Sequence, residues 1–219
     1  MRKQINETML DALRSEIVEK LSPKRAYHTL CVETMVARLC ELFCPEETMT
    51  LRAAALLHDL TKEKSTEEQE ALCRELGISV TPELHFSPKT YHAMTAAALI
   101  GRDYPDYADD VLVSAVRWHT TGKKGMTIPE KLLYLADYID DSRTYDACVM
   151  LRNEFFDAHP ETLSESERTA LLRRVLIHSF RFTVEDLIEN KILVATDTVE
   201  ALNDLLLEEK LQSNERNPK

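Results

Sequence analysis

The sequence predicts an all-α fold, one helical bundle spanning residues 1–211, and three observations carry that reading. Apolar residues recur at helical spacing through nearly the whole chain. Only 4 glycines occur in 219 residues, where average usage of about 7% would supply roughly 15. The one β-like run, Ile192-Leu193-Val194, is too short and isolated to found a sheet. Scarce glycine argues against sandwiches and barrels, and no GxGxxG or GxxxxGK[ST] string occurs, which argues against Rossmann and P-loop phosphate binding.

The helices follow in order. Ile5, Met9, Leu13, Ile17 and Leu21 form one stripe, which Pro23 is expected to stop. A second helix runs from about Arg25 to Phe43 and ends before Pro45. Glu46 to Thr61 gives a third, whose small apolar centre Ala53-Ala54-Ala55-Leu56-Leu57 predicts deep burial and whose end carries His58-Asp59. Thr66 to Leu76 follows, with a capping box expected from Thr66 to Gln69 and Gly77 as its close. From Ile78 to Thr90, Pro82 and Pro88 predict an irregular segment that could hang over a pocket. Helical periodicity then returns over His92–Tyr104, Tyr107–Trp118, Ile128–Asp140, Asp146–Ala158, Ser164–Asn190 and Thr198–Leu211, and residues 212–219 read as a polar, frayed tail.

Thirty-eight acidic residues against 27 basic give a net charge of −11, which disfavours nonspecific binding to duplex nucleic acid or to an anionic membrane. Met1–Asp11 lacks the apolar core of a signal peptide, and no apolar run approaches the roughly 20 residues of a membrane span, so a cytoplasmic protein is expected. The five cysteines contain no CxxC pair and fit neither a disulfide framework nor a thiolate zinc site. Four are expected to pack as small hydrophobes and Cys44, before Pro45, to be exposed.

A helical protein without glycine loops must build a site from side chains on facing helices. His28, His58-Asp59, His92, His119 and Asp137 fall at helix ends or on small-residue helix faces. Neutral imidazoles with carboxylates suit Fe, Mn, Co, Ni or Zn. His58 and Asp59 point about 100° apart on a regular helix, so they straddle a metal only at a terminal turn, which the following Thr61-Lys62 provides. Asp137 lies among Leu135, Ala136, Tyr138 and Ile139, where an unpaired carboxylate would cost several kcal/mol. Arg25, Lys62, Lys123-Lys124 and Arg143 adjoin these positions and reverse the local sign of charge. That pattern points to a phosphate substrate, because a metal pair can bind a phosphoryl oxygen while Lys and Arg hold the remaining charge. His85 and His159 read as solvent-facing, His178 as a core-edge residue. Tyr27, Tyr91, Trp118 and Tyr138 read as core, with Tyr91 also a candidate to stack on a base.

RAYHTLCV, LLHDLTK, YHAMTAAALI and RWHTTGKKGMTIPEKLLYLADYIDDSR together resemble the HD-domain metal-dependent phosphohydrolases, in particular the YqeK-type, symmetrical bis(5′-nucleosyl)-tetraphosphatase branch. The resemblance covers residues 21–143, leaving 144–211 as C-terminal helices without transferred roles. It implies a single HD-domain helical bundle with a di-metal centre, iron the favoured metal, that cleaves diadenosine tetraphosphate at its middle to two ADP. His28, His58, Asp59 and Asp137 would hold one metal, and Asp59 would bridge to a second held by His92 and His119. Asp59 and Lys62 would be catalytic, with Lys62 on phosphate. Arg25, Thr120, Gly122, Lys123 and Arg143 would line the polyphosphate or nucleotide subsite. Two positions depart from the family pattern: Ala96 replaces a glycine one turn after His92, and Asp140-Asp141-Ser142 replaces Glu-Pro-Asn after ADYI. The alternatives are another HD phosphohydrolase acting on a nucleoside monophosphate, cyclic nucleotide or alarmone, and a non-catalytic nucleotide-binding protein. A homodimer through an apolar helix face is the one assembly the sequence suggests.

Overall fold

In the computed structural model, which describes residues 4–216, α-helices follow one another with no strand among the described residues. The first is α1 (Glu7–Lys20), started by the Asn6 side chain, which accepts the Met9 N–H at 3.0 Å. Pro23 does not merely stop that stripe; it opens α2 (Pro23–Phe43) behind the Ser22 cap. Proline is favoured there because the first helical N–H has no intrahelical partner to lose. A 3-10 turn at Pro45–Glu47 leads into α3 (Thr48–Leu57), which ends four residues short of the expected Thr61. Cys44, expected at the surface, is buried where α2 ends against the core, and Cys31 is the half-buried cysteine.

The capping box of α4 (Thr66–Glu75) uses Ser65 and Glu68, one residue earlier than the sequence suggested. Gln69 turns inward instead, where its buried amide donates to the Thr61 carbonyl and accepts from Thr95 Oγ1 at 2.8 Å. The proline-bearing segment contains one helical turn, α5 (Pro82–His85), and a 3-10 turn at Pro88–Thr90. It lines a cavity of about 590 Å³ against Glu70 and Arg74, on the outer side of α4 and with none of the candidate metal ligands in its wall. Then come α6 (Tyr91–Asp103), α7 (Asp110–Trp118), α8 (Ile128–Ile139) and α9 (Asp146–Phe156). The start of α7 is set by Asp109, whose carboxylate accepts the N–H groups of Val111 and Leu112, and not by Tyr107.

The two last helices are α10 (Glu165–Glu189), with a Ser164/Glu167 capping box, and α11 (Thr196–Arg216). Gln212, expected in a frayed tail, lies within α11 and accepts from Arg173 at 2.7 Å; residues 217–219 lie outside the described part. Ile192-Leu193-Val194 is a connector without regular secondary structure, with the Leu193 carbonyl accepting from Ser87 Oγ.

A continuous buried cluster runs from Ile5 to Leu205. At its centre α3 packs between α2, α7 and α8, and fully buried Ala53, Ala54 and Ala55 let these helices approach. Each buried Leu or Ile contributes about 1.5–3 kcal/mol relative to exposure, so the layer around α3 is rigid enough to hold side chains aimed inward at one end. Ala96 is accommodated without exposed surface on α6.

Candidate metal centre

The site forms where five helices end or cross. His28 comes from the second turn of α2; His58, Asp59 and Lys62 come from the turn after α3. His92 opens α6, His119 closes α7, and Asp137 projects from α8. His58 keeps helical backbone angles just past the end of α3, and its Nε2 and the Asp59 Oδ2 still meet at 3.4 Å in the same space. Asp59 lies between the histidines. Its Oδ2 is 3.4 Å from His58 Nε2 and 3.8 Å from His28 Nε2, while its Oδ1 is 3.4 Å from His92 Nε2 and 3.9 Å from His119 Nε2. Asp137 Oδ1 adds contacts at 3.0 Å to His28 Nε2 and 3.9 Å to His58 Nε2.

The ring orientations decide what this cluster can bind. His58 Nδ1 and His119 Nδ1 each lie 2.6 Å from a carbonyl oxygen, of Ala55 and Val116. A carbonyl only accepts, so each Nδ1 carries the proton and each Nε2 presents a lone pair to the cluster. The Nε2 atoms of His28 and His58 are buried with no hydrogen-bond partner, an expensive arrangement unless something else occupies those lone pairs. One donor group comprises His28, His58 and Asp137 and another His58, Asp59 and His119, with the ligand atoms of each within 4.8 Å of one another. His92 Nε2 stands 3.0 Å from His119 Nε2 beside the second group. Nitrogen and oxygen donors with no thiolate fit a divalent metal of the borderline or harder kind.

Electrostatics favour the ligand forms. Burial alone would raise the carboxyls of Asp59 and Asp137. For Asp59, His58, His92 and Lys62 outweigh it and hold the group well below the carboxylate range. For Asp137, Arg143, His28 and His58 do the same. Burial, with His58 beside it, pushes His119 down to about 4, and burial with Lys62 holds His92 well below its ordinary value, so both rings are neutral. His28 is different: burial opposes its charge, but the adjacent carboxylates of Asp137 and Asp140 raise it to about 9.

Cationic side chains already rest on the donor set. Arg25 reaches Asp59 Oδ2 at 2.6 Å, Arg143 reaches Asp137 Oδ1 at 2.5 Å, and Lys62 Nζ lies 3.1 Å from His92 Nε2. Burial depresses Lys62 despite the facing Asp59 and Asp137. Thr120 Oγ1 joins them, 3.0 Å from His92 Nε2 and 3.1 Å from His119 Nε2. Two expected substrate residues make their observed contacts outside the donor cluster. Gly122 has φ +63° and packs so closely on Phe180 that a Cβ would stand 2.6 Å from its Cζ. Lys123 pairs with buried Glu130 at 2.9 Å. Tyr91 is fully buried with its hydroxyl on Glu70, which removes it as a stacking platform, whereas Tyr27 is exposed.

The residues that sequence reasoning left without a role are Asp140 and Ser142. Asp140 is fully buried and faces His28 Nδ1 at 3.3 Å, and Ser142 Oγ lies 2.9 Å from the same atom. Their only signal in the sequence was the departure from Glu-Pro-Asn. With the geometry in hand, comparison with known proteins decides the family: the HD domain model matches residues 25–142, more than half of the chain. The chain belongs to the HD domain family. Two proteins named symmetrical bis(5′-nucleosyl)-tetraphosphatase are each 29% identical to this HD-domain chain. The one from Staphylococcus aureus aligns over 84% of this chain and 88% of its own length, the one from Bacillus subtilis over 83% and 89%. A crystal structure titled as a predicted HD superfamily hydrolase involved in NAD metabolism, from Clostridium acetobutylicum, superposes with a TM-score of 0.77 at 26% identity, covering 90% of this chain and 97% of that one.

Proposed function

We propose that this HD-domain protein is a metal-dependent phosphohydrolase that splits diadenosine tetraphosphate and related dinucleoside polyphosphates symmetrically into two nucleoside diphosphates. The observation that carries the reading is the Asp59-centred donor cluster with Arg25, Lys62 and Arg143 on its rim, in a chain whose relatives named as symmetrical tetraphosphatases align over more than four fifths of it. His28, His58, Asp59 and Asp137 would hold one divalent metal, with Asp59 shared by a second held by His92 and His119. Iron is the favoured metal, and Mn, Co, Ni or Zn suit the same donors. When bound, the metal pair supplies Lewis acidity that polarises a phosphoryl oxygen and generates a nucleophile from water near neutral pH.

The chain's own residues supply the rest. Arg25 and Arg143 are a quarter to a third exposed, so their guanidinium groups can exchange a carboxylate for a phosphate without leaving the rim. Lys62, more deeply placed, offsets charge that develops on the attacked phosphoryl group. Thr120 orients beside His92 and His119, and the short apolar wall of α3 keeps bulk water from behind the donors. In the reaction a water oxygen bonds to one central phosphorus in line with the bridge to the other, that bridging P–O bond breaks, and each half departs as ADP. Among the described residues no helix is long and apolar enough to cross a membrane, in keeping with a proposed cytoplasmic setting without membrane or duplex nucleic acid partners. A homodimer is the working alternative to a monomer, decided by light scattering.

The test is a product assay with tag-free, metal-analysed protein. Two ADP per diadenosine tetraphosphate is expected; ATP plus AMP, or an inert dinucleotide beside rapid hydrolysis of a monophosphate or cyclic nucleotide, would overturn the reading.

A further inference from the structure

The histidines of the cluster are not oriented by the same means. His58 and His119 each close a helix, where the last carbonyls have no intrahelical partner, and each gives its Nδ1–H to the carbonyl three residues back in its own helix. His28 lies inside α2, where the carbonyls serve the helix itself. Its Nδ1 faces instead the chain that leaves α8, more than 110 residues away: Ser142 Oγ at 2.9 Å and Asp140 Oδ2 at 3.3 Å.

Asp140 is well fixed to orient that ring. Its Oδ1 accepts from the Ser142 N–H at 2.8 Å and from the Ser142 hydroxyl, a local turn that uses only one of the two carboxylate oxygens. Its Oδ2 is buried, makes no hydrogen bond of its own, and stands 3.3 Å from His28 Nδ1 and 3.4 Å from Arg143 Nε. The backbone beneath it is clamped from α9: Arg152 donates to the carbonyl of Ile139 at 2.6 Å, to that of Asp140, and to that of Arg143 at 2.8 Å. A turn needed only as a connector would not require a second, inward-facing carboxylate oxygen.

We infer that Asp140 is a positioning residue of the centre: its carboxylate, clamped through the backbone by Arg152, holds the Ser142 hydroxyl so that its oxygen accepts the Nδ1–H of His28, stands with Oδ2 3.3 Å behind the same nitrogen, aims the Nε2 lone pair between Asp59 and Asp137, and steadies Arg143 against Asp137. A histidine backed by a carboxylate is a more basic ligand than one backed by a carbonyl, so His28 is the tuned member of the set. The inference rests on the proposed metal-holding role of His28, and its test therefore reads metal affinity and not turnover.

Metal-stripped protein is titrated with Zn²⁺ or Mn²⁺ against a chelator for wild type, His28→Ala, Asp140→Ala, Asp140→Asn and the double Ala variant, with circular dichroism to verify folding. Asp140→Ala is expected to weaken binding about 10–100-fold. Asp140→Asn is isosteric and keeps the Ser142 turn, yet with its oxygen held there its amide NH₂ must face His28 Nδ1 and select the wrong tautomer, so it should lose at least as much. The double variant should bind no more weakly than His28→Ala alone. An Asp140→Asn protein that binds as wild type, or losses that add in the double variant, overturns the inference while the metal reading stands. Wild-type affinity in His28→Ala would remove both.

Discussion

The donor cluster and the loop Thr120–Thr127 are neighbours in sequence, His119 belonging to one and Thr120 opening the other, but they are held by opposite means. The cluster is a knot of buried charge: two carboxylates, four imidazoles, and Arg25, Lys62 and Arg143 turned onto them. The loop is held by packing and by ties to helices outside the cluster. Gly122 lies against Phe180, whose ring stacks on Tyr134 at 4.3 Å between centroids; Lys123 pairs with Glu130; and the Gly125 N–H donates to Asp204 on α11 at 2.8 Å. A single sequence string, RWHTTGKKGMT, therefore carries two kinds of information. His119 and Thr120 face the donor cluster, while Gly122, Lys123 and Gly125 tie the loop that presents them to the C-terminal helices α10 and α11 and to α8.

That division predicts that variants in the two regions fail differently. The largest effect is expected from Asp59→Ala, which removes the one carboxylate facing all four histidines. Metal content measured by plasma emission should fall to background and turnover with it, while circular dichroism stays helical, because the apolar layer around α3 does not depend on the knot. A metal-loaded, active Asp59→Ala protein would break the comparison at its first term.

Gly122→Ala should do the reverse, lowering stability while the donor set stays intact. Alanine in the left-handed region costs about 1–2 kcal/mol, and forcing a methyl group into the Phe180 contact adds about 1–3 kcal/mol. A urea midpoint shift equivalent to about 2–5 kcal/mol is expected, with metal affinity of the folded protein near wild type. Adding Phe180→Leu should relieve the steric part and leave the backbone part, a non-additive pair of the kind contacting residues give. A full loss of metal affinity without loss of stability would show that Gly122 serves the donor set and not the packing of the loop.

How much of this was legible follows from what each residue answers to. The bundle was readable because helical periodicity and helix ends are local properties: α6, α9 and α10 begin within a residue or two of their expected starts. The donor positions stood out because polar residues at helix ends or in apolar stretches demand a partner. Boundaries decided by competition between adjacent residues were less readable. Ser65 capped α4 in place of Thr66, and Pro23 opened a helix instead of only closing one, choices that depend on which neighbour the core needs buried. Least readable were roles defined across the chain. Nothing in the sequence signalled the Phe180 ring against Gly122, and Asp140 looked like a departure from a motif until His28 Nδ1 faced it.

The smallest effect sharpens the loop side of the comparison and turns on pH. Glu130 is buried, yet its carboxyl lies below its ordinary value: burial acts to raise it, and Lys123, the Ser114 hydroxyl and the Thr127 N–H outweigh burial. A carboxyl depressed in the folded state binds its proton less readily than in the unfolded chain, so its contribution to stability is complete above about pH 4.3, the unfolded value. It is lost as pH falls through the lower folded value. Glu130→Gln removes that contribution and leaves one oxygen to choose between the Thr127 N–H at 2.7 Å and the Ser114 and Lys123 side. Lys123 is nearly a third exposed and can turn to water, which limits the loss to about 1–2 kcal/mol at neutral pH. Urea titrations from pH 7 downward should show the two proteins converging below about pH 4, the wild type falling the faster. Parallel curves through that range would mean that Glu130 holds the loop by shape and not by charge.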